Sequence, residues 1–258
     1  MLGETPPIAS SSTWLAALAL APWPTARLLA IFVPSLDRRE AALVAYNLAA
    51  IAPNVYMSAV GCRAWWFDEA LAAAWAESGH ARLYTPLALS ASMISCCMAY
   101  ELWNTLMAIA LPEYRTAAFV GHHATTLYLA LLSTAPFLHV YGAYFVGVTA
   151  VSSVLLGVVD IFRHVTALQQ ALPSLNLALR ACFALAFLAT RTVMWPLVSV
   201  PFWRDVVAAL RDGSAHSAWA CAVYLAANVL LTALQALWSV RIARGLWTAV
   251  VGAPTKGA

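Results

Sequence analysis

The sequence is poor in charge: only 10% of its 258 residues are Asp, Glu, Lys or Arg, while 63% are hydrophobic. A soluble domain usually carries about 25% charged residues, so a soluble fold of this length would have too few polar side chains to cover its surface. A lipid-facing surface removes that need. Lysine is nearly missing, with Lys256 in the tail standing against thirteen arginines. A retinal-type protein, which needs a Schiff-base lysine in a late span, is therefore excluded. The net charge is only +3 and no run of five or more basic residues occurs, so nothing points to nucleic acid. The five cysteines, Cys62, Cys96, Cys97, Cys182 and Cys221, are odd in number and sit mostly in apolar runs. They lack the spacing of a disulfide framework or a zinc site. Short apolar–polar alternation is also missing, which excludes a transmembrane β-barrel with its alternating segments of about ten residues. Backbone amides in hydrocarbon must be satisfied within each segment, and that leaves helices.

What is present is a series of long apolar runs. A spanning helix needs about 20 mostly apolar residues. Residues 40–62, 85–107, 115–134, 137–159, 176–200 and 217–240 meet that requirement. A seventh candidate, 13–33, is interrupted by Pro22, Pro24 and Arg27. It reads either as a kinked span or as a helix lying in the interface. The expected fold class is all-α, a polytopic transmembrane bundle of six or seven spans. With seven spans and the N-terminus outside, Arg38, Arg39, Arg115, Arg163, Arg241, Arg244 and Lys256 fall on one side. The opposite side holds Arg63, Arg82, Arg204 and Arg211. The positive-inside bias then puts the C-terminus in the cytoplasm. Trp65-Trp66-Phe67, Trp195 and Phe202-Trp203 read as interfacial anchors. The loop at 63–84 is expected to form a short surface helix. The chain divides into a polar tail with the candidate first span (1–39), a membrane domain (40–245) and a polar C-terminal tail (246–258). Glu4 and the absence of an early cation argue against a cleaved signal peptide.

Ionisable groups inside spans are expensive and are functional candidates by default. Gly121-His122-His123-Ala124-Thr125-Thr126 opens the third firm span. Adjacent helical positions differ by about 100°, so the two imidazoles point differently. Thr126 neighbours both at i+4 and i+3 and is placed to fix a ring tautomer, leaving the other nitrogen free for a proton or an acyl group. The structural alternative has one histidine bonding a neighbouring helix and the other reaching the headgroups. Asp160, Arg163 and His164 share a face, where Asp160 either orients the histidine or pairs with the arginine. Glu101 shares a face with Asn104 and needs a partner, for which Arg191 is the obvious cation. Arg191 could instead bind a lipid phosphate or carboxylate through its forked donors. Asn47, Asn228 and Gln235 read as interhelical hydrogen-bonders.

The stretch YELWNTLMAIALPEYRTAAFVGHHATTLYLALLS resembles the central block of the TLC domain family, which includes the ceramide synthases. VVDIFRHV, FALAFLATRTVMWP and NVLLTALQALWSVRIARGL resemble later pieces of that domain in order, and the resemblance covers about residues 40–245. It implies a bundle around a lipid-accessible cavity, with His122, His123 and Arg191 at family-matched positions. The chain departs from the ceramide synthases in one respect. Their His-His pair is followed by a His-Asp-x-x-Asp-like run, whereas here no carboxylate lies between His123 and Asp160.

The resulting expectation is a protein that binds or processes acyl lipids in an intramembrane cavity. An acyl-CoA-dependent N-acyltransferase using His122 and His123 is one alternative, and a structural subunit of a larger complex is the other. Thr126, Arg191, Glu101 and Asp160 are the candidate substrate-binding residues. No cofactor or metal is expected, acyl-CoA being a candidate substrate. The expected partners are membrane lipids or acyl chains, with homo- or hetero-oligomers in the membrane left open. The endoplasmic reticulum follows from the family resemblance alone.

Overall fold

The apolar runs become helices that cross one bundle in alternating directions. A computed structural model describes residues 7–33 and 36–251, and among these no strand occurs. The polar start of the chain (1–6) and the tail after Val251, Lys256 included, lie outside the described residues. The order is α1 (Pro7–Leu20), α2 (Pro22–Phe32), α3 (Arg38–Phe67), α4 (Glu69–Glu77), α5 (Gly79–Tyr84), α6 (Ala88–Ala110) and α7 (Ala117–Leu132). There follow α8 (His139–Gly142), a π-helical stretch (Ala143–Val148), α9 (Thr149–His164), α10 (Thr166–Ala171) and α11 (Pro173–Phe187). A second π-helical stretch (Leu188–Met194), α12 (Trp195–Asp212) and α13 (Ala218–Val251) complete it. Among the described residues, six helices are long and apolar enough to cross a membrane: Ser11–Phe32, Arg38–Phe67, Ala88–Ala110, His139–His164, Pro173–Asp212 and Ala218–Trp247.

Three boundaries differ from the sequence expectation, each for a local reason. The proline-interrupted first segment forms one nearly continuous helix. The Ala21 N–H reaches the Ala17 carbonyl at 2.9 Å and the Thr25 N–H reaches Ala21 at 3.3 Å, so the ladder survives across Pro22. Trp14 meets Tyr56 of α3, with ring centroids 5.2 Å apart, and Leu18 is buried in the core, so α1 packs in the bundle. The expected span at 115–134 is instead the 16-residue α7. At 1.5 Å per residue it is about 24 Å long, short of the roughly 30 Å hydrocarbon core. Thr116 caps its start by accepting from the Phe119 N–H at 3.2 Å, and tight turns follow Ser133. The expected span at 176–200 extends to Pro173–Asp212 because the π stretch just before Pro196 carries the helix past a residue that cannot donate into the ladder.

The loop at 63–84 holds two short helices, capped by the side chains of Asp68 and Ser78. Leu71, Ala74, Ala81 and Leu83 are buried beneath them. Arg82 grips Asp205 of α12 through Nε (2.6 Å) and Nη2 (2.9 Å), and Tyr141 donates to the same carboxylate at 2.6 Å. Hydrogen bonding to Asp205 pushes the Arg82 guanidinium further up from its ordinary value, so it stays charged. At the other end of the bundle Arg39 pairs with Glu113. The Tyr114 hydroxyl there meets Asn47, Asp160 and His164. Its own deprotonation is pushed up by burial. Near the centre, α3 and the first π stretch touch backbone to backbone. A Cβ built on Gly61 would lie 2.2 Å from the Gly147 Cα.

Two aromatic expectations are corrected. Trp195 and Phe202 are buried in the core rather than anchored at the interface, and Trp195 Nε1 donates to Thr232 at 2.9 Å. Trp203 donates to Asn228 at 3.0 Å. Trp66 and Phe67 are exposed, as interfacial anchors should be.

Candidate functional site

Helices α6 and α7 form an antiparallel hairpin around the short loop at 111–116, which brings Glu101 and Asn104 against His123. The His123 Nδ1 lies 2.6 Å from a Glu101 carboxylate oxygen. Asn104 Nδ2 stands 3.0 Å from His123 Nε2, and its carbonyl oxygen accepts from the Tyr46 hydroxyl. These contacts assign a consistent pattern: Nδ1–H donates to the carboxylate and Nε2 accepts from the amide. All four side chains are buried. Tyr100 and Phe119 pack on the His123 ring, with centroids at 6.2 and 4.5 Å.

His122 is placed differently. Its ring stands edge-on to His123 (4.9 Å) and to Trp238 of α13 (5.6 Å). Its Nδ1 is buried without a hydrogen-bond partner among the described residues. Both histidines border two voids. An inner chamber of about 140 Å³ runs along α7 past Thr126, Leu129 and Ser133 toward Phe202 and Tyr224. An outer chamber of about 420 Å³ reaches Tyr114, Asp160, Arg163 and Arg241 at the arginine-rich end of the bundle. Asn54, Tyr100, His122, His123, Ser153 and Arg191 border both.

The remaining candidates are sorted by these two chambers. Glu101 does not pair with Arg191, because the α6–α7 hairpin presents His123 to it first. Arg191 lies on the second π stretch. Its Nε donates to Ser152 Oγ at 2.9 Å, and its Nη2 donates to Thr149 O at 3.1 Å and Ser153 Oγ at 3.2 Å. The Thr126 hydroxyl lines the inner chamber but fixes no tautomer. It donates back to the His122 carbonyl at 3.0 Å, the usual local bond of a helical threonine. Asp160 borders the outer chamber and pairs with Arg163 at 3.3 Å, reaching His164 through Tyr114 and through Arg163, whose Nη2 lies 3.4 Å from His164 Nε2. Asn47 and Asn228 do bond other elements. Gln235 does not: its Oε1 is buried without a partner among the described residues. His139 is structural, accepting from the Leu87 N–H at 3.1 Å and facing the Ser133 carbonyl at 3.3 Å. No cluster of three or more potential metal ligands occurs among the described residues.

Sequence reasoning missed Tyr46, Tyr100 and Tyr114, which complete the polar surroundings. The pairing of Asn104 with His123 had a legible signal, since the two stand at matching distances on either side of the short loop. Tyr46 had none, because nothing local says which face of α3 meets α6.

A helical membrane bundle enclosing a histidine-walled chamber is the class of protein these observations define. A family model described as the TLC domain matches residues 48–244. The chain belongs to the TLC domain family. A comparison with individually curated proteins finds no match.

Proposed function

We propose that this protein binds an acyl lipid with its chain in the inner chamber and its polar end at the histidine pair. One observation carries the reading: the two imidazoles border both a mostly apolar chamber and a vestibule that leads to arginines. The inner walls of Met57, Ile94, Leu129, Phe145 and Leu231 suit a hydrocarbon chain. Arg163 and Arg241 suit an anionic headgroup entering from the opposite side.

Acyl transfer is the second reading, and the Glu101–His123 contact favours it. The carboxylate missing after the His-His pair is supplied here from the preceding helix. With both His123 nitrogens occupied, His122 is the ring open to reaction. In that reading an imidazole nitrogen attacks the thioester carbonyl of an acyl-CoA. The C–S bond breaks and the thiolate leaves with the imidazole proton. An amine then attacks the acyl-imidazole, forms the amide, and returns a proton to His122. His123 and Glu101 act as positioning residues. The endoplasmic reticulum as the site of action, and any oligomer in the membrane, belong to this proposal too.

The test is to purify the full chain, identify co-purifying lipids, and incubate it with labelled acyl-CoA and a panel of long-chain amines. Amide product that vanishes in His122→Ala establishes transfer. Bound acyl lipid without product leaves binding as the function. Neither lipid nor product sinks both readings.

A further inference from the structure

Arg191 is a half-buried cation with no acidic partner within ion-pair distance among the described residues. Its three hydrogen bonds go to two serine hydroxyls and one backbone carbonyl, all neutral. Among the described residues no carboxylate lies within ion-pair distance of it, and Nη1 donates to nothing. Glu101, which borders the same chamber, is taken up by His123 at 2.6 Å. An isolated charge in a low-dielectric interior is costly and normally acquires a counter-charge. Here the position that a counter-ion would occupy faces open space, because Arg191 borders both chambers.

Two further polar groups are unmatched close by. His122 Nδ1 and Gln235 Oε1 are both buried without partners among the described residues. Gln235 stands one turn before Trp238, which touches His122, and Ser239 on the next turn meets Thr192 at 2.7 Å. Those two contacts bring Gln235 to the level of Arg191 and His122. All three side chains line the mostly apolar inner chamber, and the only fixed charge among them is positive.

We propose that Arg191 binds the anionic head, a carboxylate or phosphate, of a single-chain amphiphile whose tail enters the inner chamber. The inference rests on the acyl-binding reading above and narrows its ligand class to anions. A forked guanidinium with one free edge fits a two-oxygen anion. A neutral ester or alcohol leaves the cation unmatched.

Equilibrium binding to the full chain in nanodiscs of neutral phosphatidylcholine tests this. The probes are labelled hexadecanoate, methyl hexadecanoate and hexadecyl phosphate, each expressed as mole fraction in the bilayer, with inorganic phosphate as competitor. The two anions are expected to bind about tenfold more tightly than the ester, as a charged hydrogen bond predicts. In Arg191→Met that ratio should fall to about one, with ester affinity kept within about twofold. Should that variant fail to fold, Arg191→Lys keeps the charge without the fork and is expected to cut the ratio several-fold. Equal binding of acid and ester by the wild type, or an unchanged ratio in either variant, overturns the proposal. So does competition by inorganic phosphate as effective as that of hexadecyl phosphate. Failure of all three amphiphiles, the ester included, instead removes the acyl-binding reading itself.

Discussion

At the scale of single residues, the chemistry turns on how two adjacent imidazoles are treated differently. His123 has a carboxylate on one nitrogen and an amide on the other, while His122 has no partner for Nδ1 among the described residues. The α-helix forces this asymmetry, since a 100° step lets only one of two neighbours face α6. Glu101→Leu leaves the His123 N–H without an acceptor in the interior. It should destabilise the fold by about 1–3 kcal/mol, with Glu101→Gln milder because an acceptor remains. Unfolding midpoints in mixed detergent micelles check this, and a wild-type midpoint for Glu101→Leu would rule out the contact. Glu101 and His123 were both visible in the sequence as ionisable groups in apolar runs. Their pairing was not, because the obvious cation for a buried carboxylate was Arg191.

At the scale of elements, the chambers depend on how closely the helices approach. Gly61 and Gly147 allow α3 to touch the first π stretch. A Cβ on Gly147 would lie 2.3 Å from the Gly61 Cα and 2.8 Å from the Met93 sulfur. Gly147→Ala and Gly61→Ala should each cost about 1–3 kcal/mol or more, as overpacking does. Gly121, beside the histidines, has nothing within 4 Å of a built Cβ. Gly121→Ala should be neutral or stabilising, by up to roughly 1 kcal/mol, from helix propensity alone. Melting temperatures of the three variants give the comparison, and equal effects would contradict the packing described. The sequence marks all three glycines alike, and only the neighbouring helix separates them. The π stretches were equally invisible, since residue order does not record which carbonyls leave the ladder. The Thr190 carbonyl in one stretch accepts from the Tyr144 hydroxyl in the other at 2.5 Å.

At the scale of the whole molecule, two sets of contacts sort the loops to opposite ends. Arg39–Glu113 and Tyr114–Asp160 lie at one end, and Arg82–Asp205 and Tyr84–His216 at the other. The first end carries most of the arginines and opens into the outer chamber. The positive-inside rule assigns it to the cytoplasm. Single cysteines at Arg39 and Glu77, placed in a variant lacking the five native cysteines, should therefore label from opposite sides of a sealed membrane. Arg39→Cys is expected to react from the cytoplasmic face, and the reverse pattern would overturn the orientation. Composition alone determined that this chain is a helical membrane bundle, because a surface with so few charges is stable only in lipid and lipid demands internally bonded backbone. Residue order added the family and the histidine pair. Which groups meet was decided by tertiary structure: contacts such as those of Tyr46 with Asn104 and Trp238 with His122 join positions far apart in the chain. Their geometry exists only once the helices have packed.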